Sequence, residues 1–359
     1  MPSRAQQELT ALRRSSLLLG EPEQGSPAEV VRWMLAFQAQ DFPGTKWSVG
    51  LRAHGSTDAT IEAALASREI VRSWPMRGTL HLVAAEDLAW MLSIGRPRTA
   101  TTVATRHASL GISDRDLGVV ADTARETLTG GRISRRDDLL ASFDAAGVPT
   151  TGQRGYHLLL HLALHGVLVF GPVDGKHQTF TLLDEWVSAP RRLEGDEALA
   201  EFAGRYFRSH GPATDRDFAW WSNLTLGDAR TGIALADLER REVDGITYHH
   251  APGLEPAPEV EHALPGFDEY LLGYQNRSAA LDPRYRERIV PGGNGVFLPT
   301  LMVGGRVVGT WRRIERAARI DVEPLPFEAL GVRARARLTR ALERYAAFIG
   351  KPVEVHWPE

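Results

Sequence analysis

Two Asp-Gly pairs, Asp174-Gly175 and Asp244-Gly245, each stand between two short runs of strand-forming residues. The first pair separates residues 167–171 from residues 178–183, and the second separates the run REV from the run ITYHH. A two-residue hairpin turn needs a positive φ at its central positions, which Asp and Gly adopt at little cost. Each pair therefore predicts a β-hairpin.

Helical segments precede each of these hairpins. Before the first pair come a helix that ends at a Gly-Gly-Arg break, a helix capped by Ser134 and a third helix over residues 156–165. Before the second pair, Thr214 caps one helix and LTLGDARTGIALADL forms another. An earlier copy is predicted from SPAEVVRWMLAFQAQ, with Ser26 as N-cap, then the helix TDATIEAALASREIVRSW and a strand or hairpin at PMRGTLHLVA. Helices followed by a short hairpin are the pattern of a winged helix-turn-helix, here predicted three times.

The C-terminal part follows a different pattern. The proline-rich stretch APGLEPAPEVEHALPG is predicted to be a linker. After it, a hairpin turns at Gly304-Gly305, and the strands RIDVEPLPF and KPVEVHW flank the helix GVRARARLTRALERYAAFI. The predicted fold class is α+β, with three tandem winged helix-turn-helix domains plus a C-terminal β-rich domain. The predicted boundaries are 1–110, 111–190, 191–258 and 259–359.

Composition and charge narrow the class of protein. The chain is 43% hydrophobic and 24% charged, which is typical of a soluble globular protein. We expect a cytoplasmic protein without a membrane partner, because no apolar run is long enough for a bilayer and the N-terminal residues lack a signal peptide's apolar stretch. The absence of cysteine excludes disulfides and thiolate metal sites. A net charge of −3 gives no overall basic signature, so any DNA contact must use local clusters.

Three histidines, His157, His161 and His165, share a predicted helix face. Positions four apart can bind zinc, but the first and third lie roughly 12 Å apart along a helix, so one ion cannot take all three. We predict no metal and favour polar or phosphate contacts on this helix. No P-loop, GxSxG or glycine-rich nucleotide turn is present in the sequence, so no cofactor is predicted.

Basic residues gather in three stretches, GRPRTATTVATRH, GGRISRR and GTWRRIERAAR. A solvated surface is the commoner explanation for any one of them. Their repeated placement at helix starts and turns raises the odds of phosphate contact. Arg135, Arg136, Arg312 and Arg313 are the predicted DNA-binding residues in the last two stretches.

Two glutamines, Gln38 and Gln40, flank one alanine in the stretch LAFQAQDFPG. Residues two apart do not share a face of a continuous helix. The pair should therefore lie where a helix ends or distorts, and Pro43-Gly44 is predicted to close that helix. A solvated helix end would explain these residues without any chemistry, whereas a polar pair placed to hold a water would make them functional.

The stretches FQAQDFPG, SWPMRGTLHLVAAEDLAWML, FDEYLLGYQNRS and LMVGGRVVGTWRR together resemble the AlkZ-like winged-helix DNA glycosylases, a bacterial family. The resemblance covers nearly the whole chain. It implies tandem winged helices with a C-terminal β-rich domain, and a catalytic Gln-x-Gln motif that matches Gln38 and Gln40. The implied activity is excision of N7-alkylated guanine from double-stranded DNA, bulky or crosslinked adducts included, by a monofunctional enzyme.

The resemblance also suggests roles for neighbouring residues. Asp41 is the alternative water activator, although a turn residue at a helix end is as good an explanation. Arg77, Thr79 and His81 of MRGTLH should point the same way along a strand and face DNA near the lesion. An edge strand with a polar solvent face would explain the same alternation.

Two other classes of function remain open at this point. A winged-helix DNA-binding regulator without catalysis would keep the basic clusters but give no reason for the glutamine pair. A protein-interaction scaffold would bind no DNA in a salt-dependent way. We expect a monomer located in the cytoplasm and associated with the nucleoid. The identity of the adduct, crosslink unhooking and the choice between general repair and self-resistance are open.

Overall fold

A computed structural model describes residues 3–20 and 25–358, and it is a mixed α+β protein, as predicted. The helices are α1 (Arg4–Ser16), α2 (Pro27–Met34), α3 (Phe42–Gly50), α4 (Asp58–Ala66), α5 (Leu88–Ser109), α6 (Asp114–Leu128), α7 (Arg136–Ala145), α8 (Arg154–Leu164), α9 (Leu183–Trp186), α10 (Gly195–His210), α11 (Asp215–Ser222), α12 (Leu226–Leu235), α13 (Glu269–Leu272), α14 (Arg286–Ile289) and α15 (Val332–Ile349). The strands are β1 (Phe37–Gln38), β2 (Ile70–Met76), β3 (Thr79–Ala84), β4 (Ser134–Arg135), β5 (Leu168–Phe170), β6 (Thr179–Leu182), β7 (Glu239–Val243), β8 (Ile246–His250), β9 (His262–Leu264), β10 (Thr300–Val303), β11 (Arg306–Glu315), β12 (Ile320–Pro326) and β13 (Val353–Val355).

The chain divides into two compact units. Unit 1 holds the residues up to Ile61, Ala200–Trp221 and the residues from Thr225 onward. Unit 2 holds Glu62–Leu199 and Ser222–Leu224. These two units are discontinuous along the chain, whereas the sequence predicts four consecutive domains. The boundaries of those four domains stay a prediction. Among residues 3–20 and 25–358, no helix combines the length and apolar character needed to cross a bilayer.

Unit 1 contains a five-stranded sheet in the order β13-β12-β11-β10-β9. Only the β12–β13 pairing is parallel. Trp47 of α3 packs against Tyr345 and Phe348 of α15, with ring centroids 5.4 and 5.2 Å apart. The Trp47 indole N–H also donates to the Ala263 carbonyl in β9 at 2.8 Å. These contacts attach α3 to the sheet and so fix the start of this helix.

Unit 2 is built around an apolar core between helices and a small sheet of order β4-β6-β5. Leu139 and Phe143 of α7, Leu158 and Leu162 of α8 and Phe180 of β6 are fully buried in it. Burying such side chains contributes roughly 1.5–3 kcal/mol each relative to exposing them. This packing gives α8 its orientation and presents the polar side of the helix outward.

The hairpins predicted at Asp244-Gly245 and Gly304-Gly305 are confirmed, and β5 and β6 also form a hairpin, but Asp174 is not one of its central turn residues because it lacks a positive φ. Asp244 and Gly245 both have positive φ, 52° and 74°, and join β7 to β8. Gly304 and Gly305 join β10 to β11 in the same way, with φ of 55° and 73°. Asp174 lies in the loop between β5 and β6 and forms a bridge with His177.

Three local predictions are wrong. The helix predicted through residue 74 ends at Ala66, since Arg68 has φ 67° and the β-branched residues Ile70 and Val71 begin β2. Ser134 does not cap α7, because it lies in β4 and pairs with β6. The proline-rich stretch is not a pure linker, since residues 262–264 form β9 and pair with β10.

Two glycines in helices of unit 2 make a matched test of this packing. A Cβ on Gly95 of α5 would lie 2.1 Å from the Pro75 carbonyl oxygen, whereas a Cβ on Gly118 of α6 would meet nothing within 4 Å. We expect Gly95→Ala to destabilise the protein by about 2 kcal/mol or more, because the backbone of β2 cannot yield without strain. Gly118→Ala should stabilise it by about 0.5–1 kcal/mol. Urea denaturation measures both, and equal effects would contradict the packing of α5 on β2.

Candidate active site

The glutamine pair lies in a short extended segment between two helices. The predicted helix through residue 40 is wrong, since α2 ends at Met34 and Leu35 has φ 67°. The positive φ of Leu35 turns the chain away from the axis of α2, so that Gln38 lies in the extended strand β1. The expectation that the pair lies where a helix has ended is therefore met, although the end comes several residues earlier than predicted.

The two amides contact each other directly. The Gln38 Nε2 amide donates to Gln40 Oε1, and the Gln40 backbone N–H lies 3.3 Å from Gln38 Oε1. Gln38 is 5% exposed and Ala39 is fully buried, whereas Gln40 is exposed. One amide is thus held inside the protein, and it presents the other at the surface.

Asp41 begins the next helix. Its Oδ1 accepts a hydrogen bond from the Gly44 N–H at 3.2 Å, which makes it the N-cap of α3. Pro43-Gly44 were predicted to close a helix, and they open one instead, since proline needs no N–H in a first helical turn. A Cβ on Gly44 would lie 2.3 Å from Asp41 Oδ2, so the cap requires glycine there. The Thr45 hydroxyl lies 2.8 Å from the carbonyl oxygens of both Gln38 and Asp41 and joins the segment to α3.

A buried carboxylate, Glu269, holds the other side of the segment. It is fully buried, and its Oε1 accepts from the Gln38 backbone N–H at 3.4 Å. Its Oε2 accepts from the Trp221 indole N–H at 2.8 Å and lies 3.3 Å from His210 Nε2. The Tyr206 ring stacks on His210 at 4.8 Å. A carboxylate removed from water needs such partners, so the network both stabilises Glu269 and fixes Gln38.

The neighbouring residue Asp268 forms a buried ion pair with Arg52, which lies in the turn just after α3. The guanidinium donates twice, at 2.9 and 3.0 Å, and the Ser48 hydroxyl donates to the same carboxylate at 2.6 Å. Burial alone would raise the pKa of Asp268, but the Arg52 charge and these hydrogen bonds outweigh it and hold the pKa below its usual value. Arg52 also lies 5.4 Å over the Phe37 ring, next to Gln38.

Arg77, Thr79 and His81 belong to unit 2 and do not share one strand face. Arg77 lies in the turn between β2 and β3, where it and Gly78 have positive φ. The His81 ring is fully buried, with Nδ1 2.9 Å from the Thr79 carbonyl and Nε2 3.3 Å from Arg77 Nη2. Burial and then the Arg77 charge lower the pKa of His81 well below its usual value. The prediction that His81 faces DNA is therefore wrong for this structure, because a neutral buried His81 instead accepts from Arg77.

The other predicted DNA-binding arginines lie at or near the surface beside acidic or aromatic groups. Arg135 donates to Asp174 at 2.6 Å, which raises its pKa, and Arg136 lies 3.6 Å from Asp137. Arg312 pairs with Glu323, whereas Arg313 lies 5.6 Å over the Tyr345 ring. Exposed ion pairs are worth little, so these arginines could exchange a carboxylate for a phosphate at small cost. Their DNA contacts stay a prediction.

His161 near the end of α8 stacks on His165, which follows the helix and is exposed. The rings of His161 and His165 lie 4.2 Å apart, and His107 of α5 lies 5.7 Å from His161. Burial, together with the charges of His165 and His107, lowers the pKa of His161 to about 4. His161 is therefore neutral at neutral pH and brings no positive charge to a phosphate.

Within the described ranges, a single group of three side chains has donor atoms close enough for a metal, namely Asp321, Glu354 and His356. Glu354 and His356 are exposed, and Asp321 is already bonded to Arg316 and Arg319 at 2.9 and 2.7 Å. Those arginines hold the pKa of Asp321 below its usual value. The arrangement fits a surface ion-pair cluster.

Several residues of the site were not found from the sequence. Glu269, Asp268, Arg52, His210 and Trp221 come from four separate segments that only the folded chain brings together. One signal was available, since Asp268-Glu269 interrupts the apolar run GFDEYLLGY. Adjacent acids inside such a run indicate buried, partnered carboxylates.

Comparisons with known proteins agree along the chain. A family model described as "DNA glycosylase AlkZ-like" matches residues 31–348. The "Interstrand DNA cross-link repair glycosylase" of Streptomyces sahachiroi is 27% identical over 360 residues, which cover 93% of this chain and 95% of that protein. The solved structure of the Streptomyces sahachiroi DNA glycosylase AlkZ is similar with a TM-score of 0.81 at 25% identity, and the match covers 99% of this chain and 100% of that one.

The Arg52–Asp268 pair makes the stability of unit 1 depend on pH. Folding lowers the pKa of Asp268, so its contribution is complete above about pH 4, its pKa in an unfolded chain, and is lost as pH falls through the lower folded value. We expect Asp268→Asn to lower the free energy of unfolding at pH 7 by about 3–5 kcal/mol, because Arg52 is left buried without its counter-charge. The difference from wild type should narrow below pH 4, as measured by urea denaturation across pH.

The matched control is Asp122→Asn, which removes the partner of Arg125 in an ion pair whose side chains are 80% and 55% exposed. We expect that change to stay within about 0.5 kcal/mol of wild type. Equal effects of the two substitutions at pH 7 would contradict the structural role of the buried pair.

Proposed function

The chain belongs to the AlkZ-like DNA glycosylase family, and from that premise we propose that it hydrolyses the N-glycosidic bond of N7-alkylated guanine in double-stranded DNA. As a DNA glycosylase it is an enzyme that cleaves N-glycosidic bonds and acts in the repair of alkylated or crosslinked DNA. The observation that carries the more specific proposal is the pair of uncharged amides, Gln38 and Gln40, fixed on the buried carboxylate Glu269.

The chemistry of the substrate explains how amides suffice. Alkylation at N7 makes guanine a cation, so cleavage releases a neutral base and needs no strong general acid. What the reaction needs is a water below C1′ and a negative electrostatic potential toward an oxocarbenium-like sugar. Amide carbonyl oxygens hold such a water by accepting its hydrogens, and they supply the negative potential. They do this without taking up a proton.

The hydrogen bonds of the pair leave its two oxygens with acceptor capacity. Gln38 Oε1 accepts from the Gln40 N–H, and Gln40 Oε1 accepts from the Gln38 amide. Each carbonyl oxygen has a second lone pair, so one water can donate a hydrogen to each. Such a water turns its own lone pair away from the amides, toward a sugar placed above them. As its oxygen bonds to C1′, the N9–C1′ electron pair leaves with the base, which becomes neutral, and the surplus proton of the water passes to the solvent.

The anchoring of Gln38 supports a positioning role. Its backbone N–H is held by Glu269, and its carbonyl oxygen accepts from the Thr45 hydroxyl. A water held this closely loses little further entropy when it attacks, which is a large part of the advantage of a preorganised site. Lys46 forms an ion pair with Asp58 at 2.6 Å, which favours hydrolysis over Schiff-base chemistry and hence a monofunctional enzyme.

The wider proposal covers the biological role and the DNA-binding parts. The name of the Streptomyces sahachiroi relative favours crosslinked guanine within the substrate range, and resistance to a DNA-alkylating natural product is a role consistent with it. Three groups of helices with a hairpin favour three winged helices as the DNA-binding surface: α2–α5 with β2–β3, α6–α8 with β5–β6 and α10–α12 with β7–β8. We further propose a monomer in the cytoplasm, associated with the nucleoid.

Excision of 7-methylguanine tests the proposal. With N7-methylated duplex DNA under single-turnover conditions, we expect base release by wild type and a loss of about 10²–10³-fold for both Gln38→Ala and Gln40→Ala, because each change removes one of the two groups that hold the water. Gln7→Ala, which removes an exposed glutamine from α1 of the same unit, should excise at the wild-type rate. Undiminished excision by the two site variants would refute the catalytic role of the pair.

Asp41 provides a second test, because it is the carboxylate closest to the pair in sequence. Asp41→Asn keeps an N-cap acceptor for α3, so folding should be preserved. If the amides alone hold the water, we expect the excision rate of Asp41→Asn to fall less than about threefold. The site then needs Asp41 only as the cap of α3, which asparagine also provides. A loss of 100-fold or more with unchanged thermal stability would make Asp41 the base.

A further inference from the structure

Phe267 has a backbone conformation that aromatic residues rarely adopt. Its φ is 58°, and it directly precedes Asp268 and Glu269, which hold the glutamine segment. A Cβ on Gly266 would lie 2.7 Å from the Phe297 carbonyl oxygen, so the two backbones pack closely at this point. Left-handed non-glycine residues persist where the surroundings enforce them, and they concentrate at functional sites.

Four side chains form what we call the aromatic shelf: Phe267, Phe297, Trp220 and Arg277. The ring centroids of Phe267 and Phe297 lie 6.2 Å apart. The Arg277 guanidinium lies 4.9 Å over Phe297 and 5.2 Å over Trp220, and its Nε donates to the Leu271 carbonyl at 2.6 Å. All four side chains are partly exposed, so the shelf lies at the surface of unit 1 instead of completing a core.

The shelf adjoins the glutamine pair within unit 1. The same Cβ position on Gly266 lies 3.8 Å from Asp41 Oδ2, and Asp41 follows Gln40 directly. The residue after Phe267, Asp268, is bonded to Ser48 of α3 and to Arg52 in the turn that follows this helix. The segment 266–269 therefore connects the two features. It carries Phe267 of the shelf, and its Glu269 holds the backbone of Gln38.

Exposed ring faces beside a stacked guanidinium have a recognised chemical use. Nucleobases removed from a duplex stack on aromatic side chains, and every base offers a π face for this contact. An arginine that stacks between rings keeps its edge N–H groups directed outward, where a phosphate can accept from them. Because the shelf is open, it also leaves room for the alkyl group of an alkylated purine.

We propose that the aromatic shelf stacks on a purine that has left the base stack of the duplex, and so places the sugar of this nucleotide above the glutamine pair. The identity of the purine as an N7-alkylguanine rests on the proposed function, but the stacking contact does not. Phe267 and Phe297 supply the faces, and Arg277 fixes Phe297 and contacts the adjoining phosphate. These residues are binding and positioning residues for the reaction.

A fluorescent purine tests the shelf without any base excision. A DNA duplex with a single unpaired 2-aminopurine is titrated with the protein, since the fluorescence of 2-aminopurine is quenched within the base stack and rises when the base leaves it. We expect wild type to raise the fluorescence of the probe, and Phe267→Leu and Phe297→Leu to lose most of this rise while DNA affinity changes less than about threefold, because no ring face then holds the displaced base.

The matched control is Trp357→Leu, which removes the ring of another partly exposed arginine–aromatic pair, with Arg335 5.6 Å over Trp357. It should raise the fluorescence like wild type. Phe267→Gly guards against misfolding, because glycine accepts a φ of 58° without strain and should fold at least as stably. No rise with wild type, or an equal rise with Phe267→Leu, Phe267→Gly and wild type, would overturn the proposal.

Excision measured on the same proteins separates the two proposals. Gln40→Ala should raise the fluorescence of the probe fully while losing release of 7-methylguanine. A Phe267-dependent rise in a wild-type protein that releases no base would support the shelf and refute the proposed excision. Release by wild type that Phe267→Leu leaves unchanged would refute the shelf and support the excision.

Discussion

The buried ion pair between Arg52 and Asp268 is the contact on which the site depends. It joins the turn after α3 to the segment that carries Phe267, Asp268 and Glu269, and it does so through two hydrogen bonds inside the protein. Removing one partner of such a pair is costly, because the remaining charge stays buried without water or a counter-charge to stabilise it. The positions of Gln38, through Glu269, and of the aromatic shelf, through Phe267, follow from it.

The charged groups that support the proposed reaction centre are buried, and the groups proposed to hold the water are uncharged. The carboxylates of Asp268 and Glu269 are buried and partnered, whereas the group presented at the surface is the neutral amide of Gln40, which contacts the buried amide of Gln38. A cationic base that leaves as a neutral molecule needs orientation and a favourable potential more than it needs proton transfer. The anchoring network provides the orientation, and the amide oxygens provide the potential.

Features set by neighbouring residues could be predicted from the sequence, and features set by distant ones could not. The Asp244-Gly245 hairpin needs only turn chemistry, and the position of the glutamine pair after a helix needs only the period of a helix. The reversal at Leu35 and the helix start at Asp41 depend on contacts with Thr45 and Glu269, the latter more than 200 residues away. The burial of His81 reverses a prediction based on strand alternation, because its ring is enclosed and supports Arg77.

The central claim is that Gln38 and Gln40 together hold the attacking water. The most direct measurement is a crystal structure of the protein bound to duplex DNA in which a cationic azasugar replaces the damaged nucleoside. The account predicts one ordered water within hydrogen-bonding distance of both side-chain oxygens, on the line toward C1′ of the sugar mimic. A water held by Asp41 alone, or a sugar mimic bound away from both amides, would contradict it.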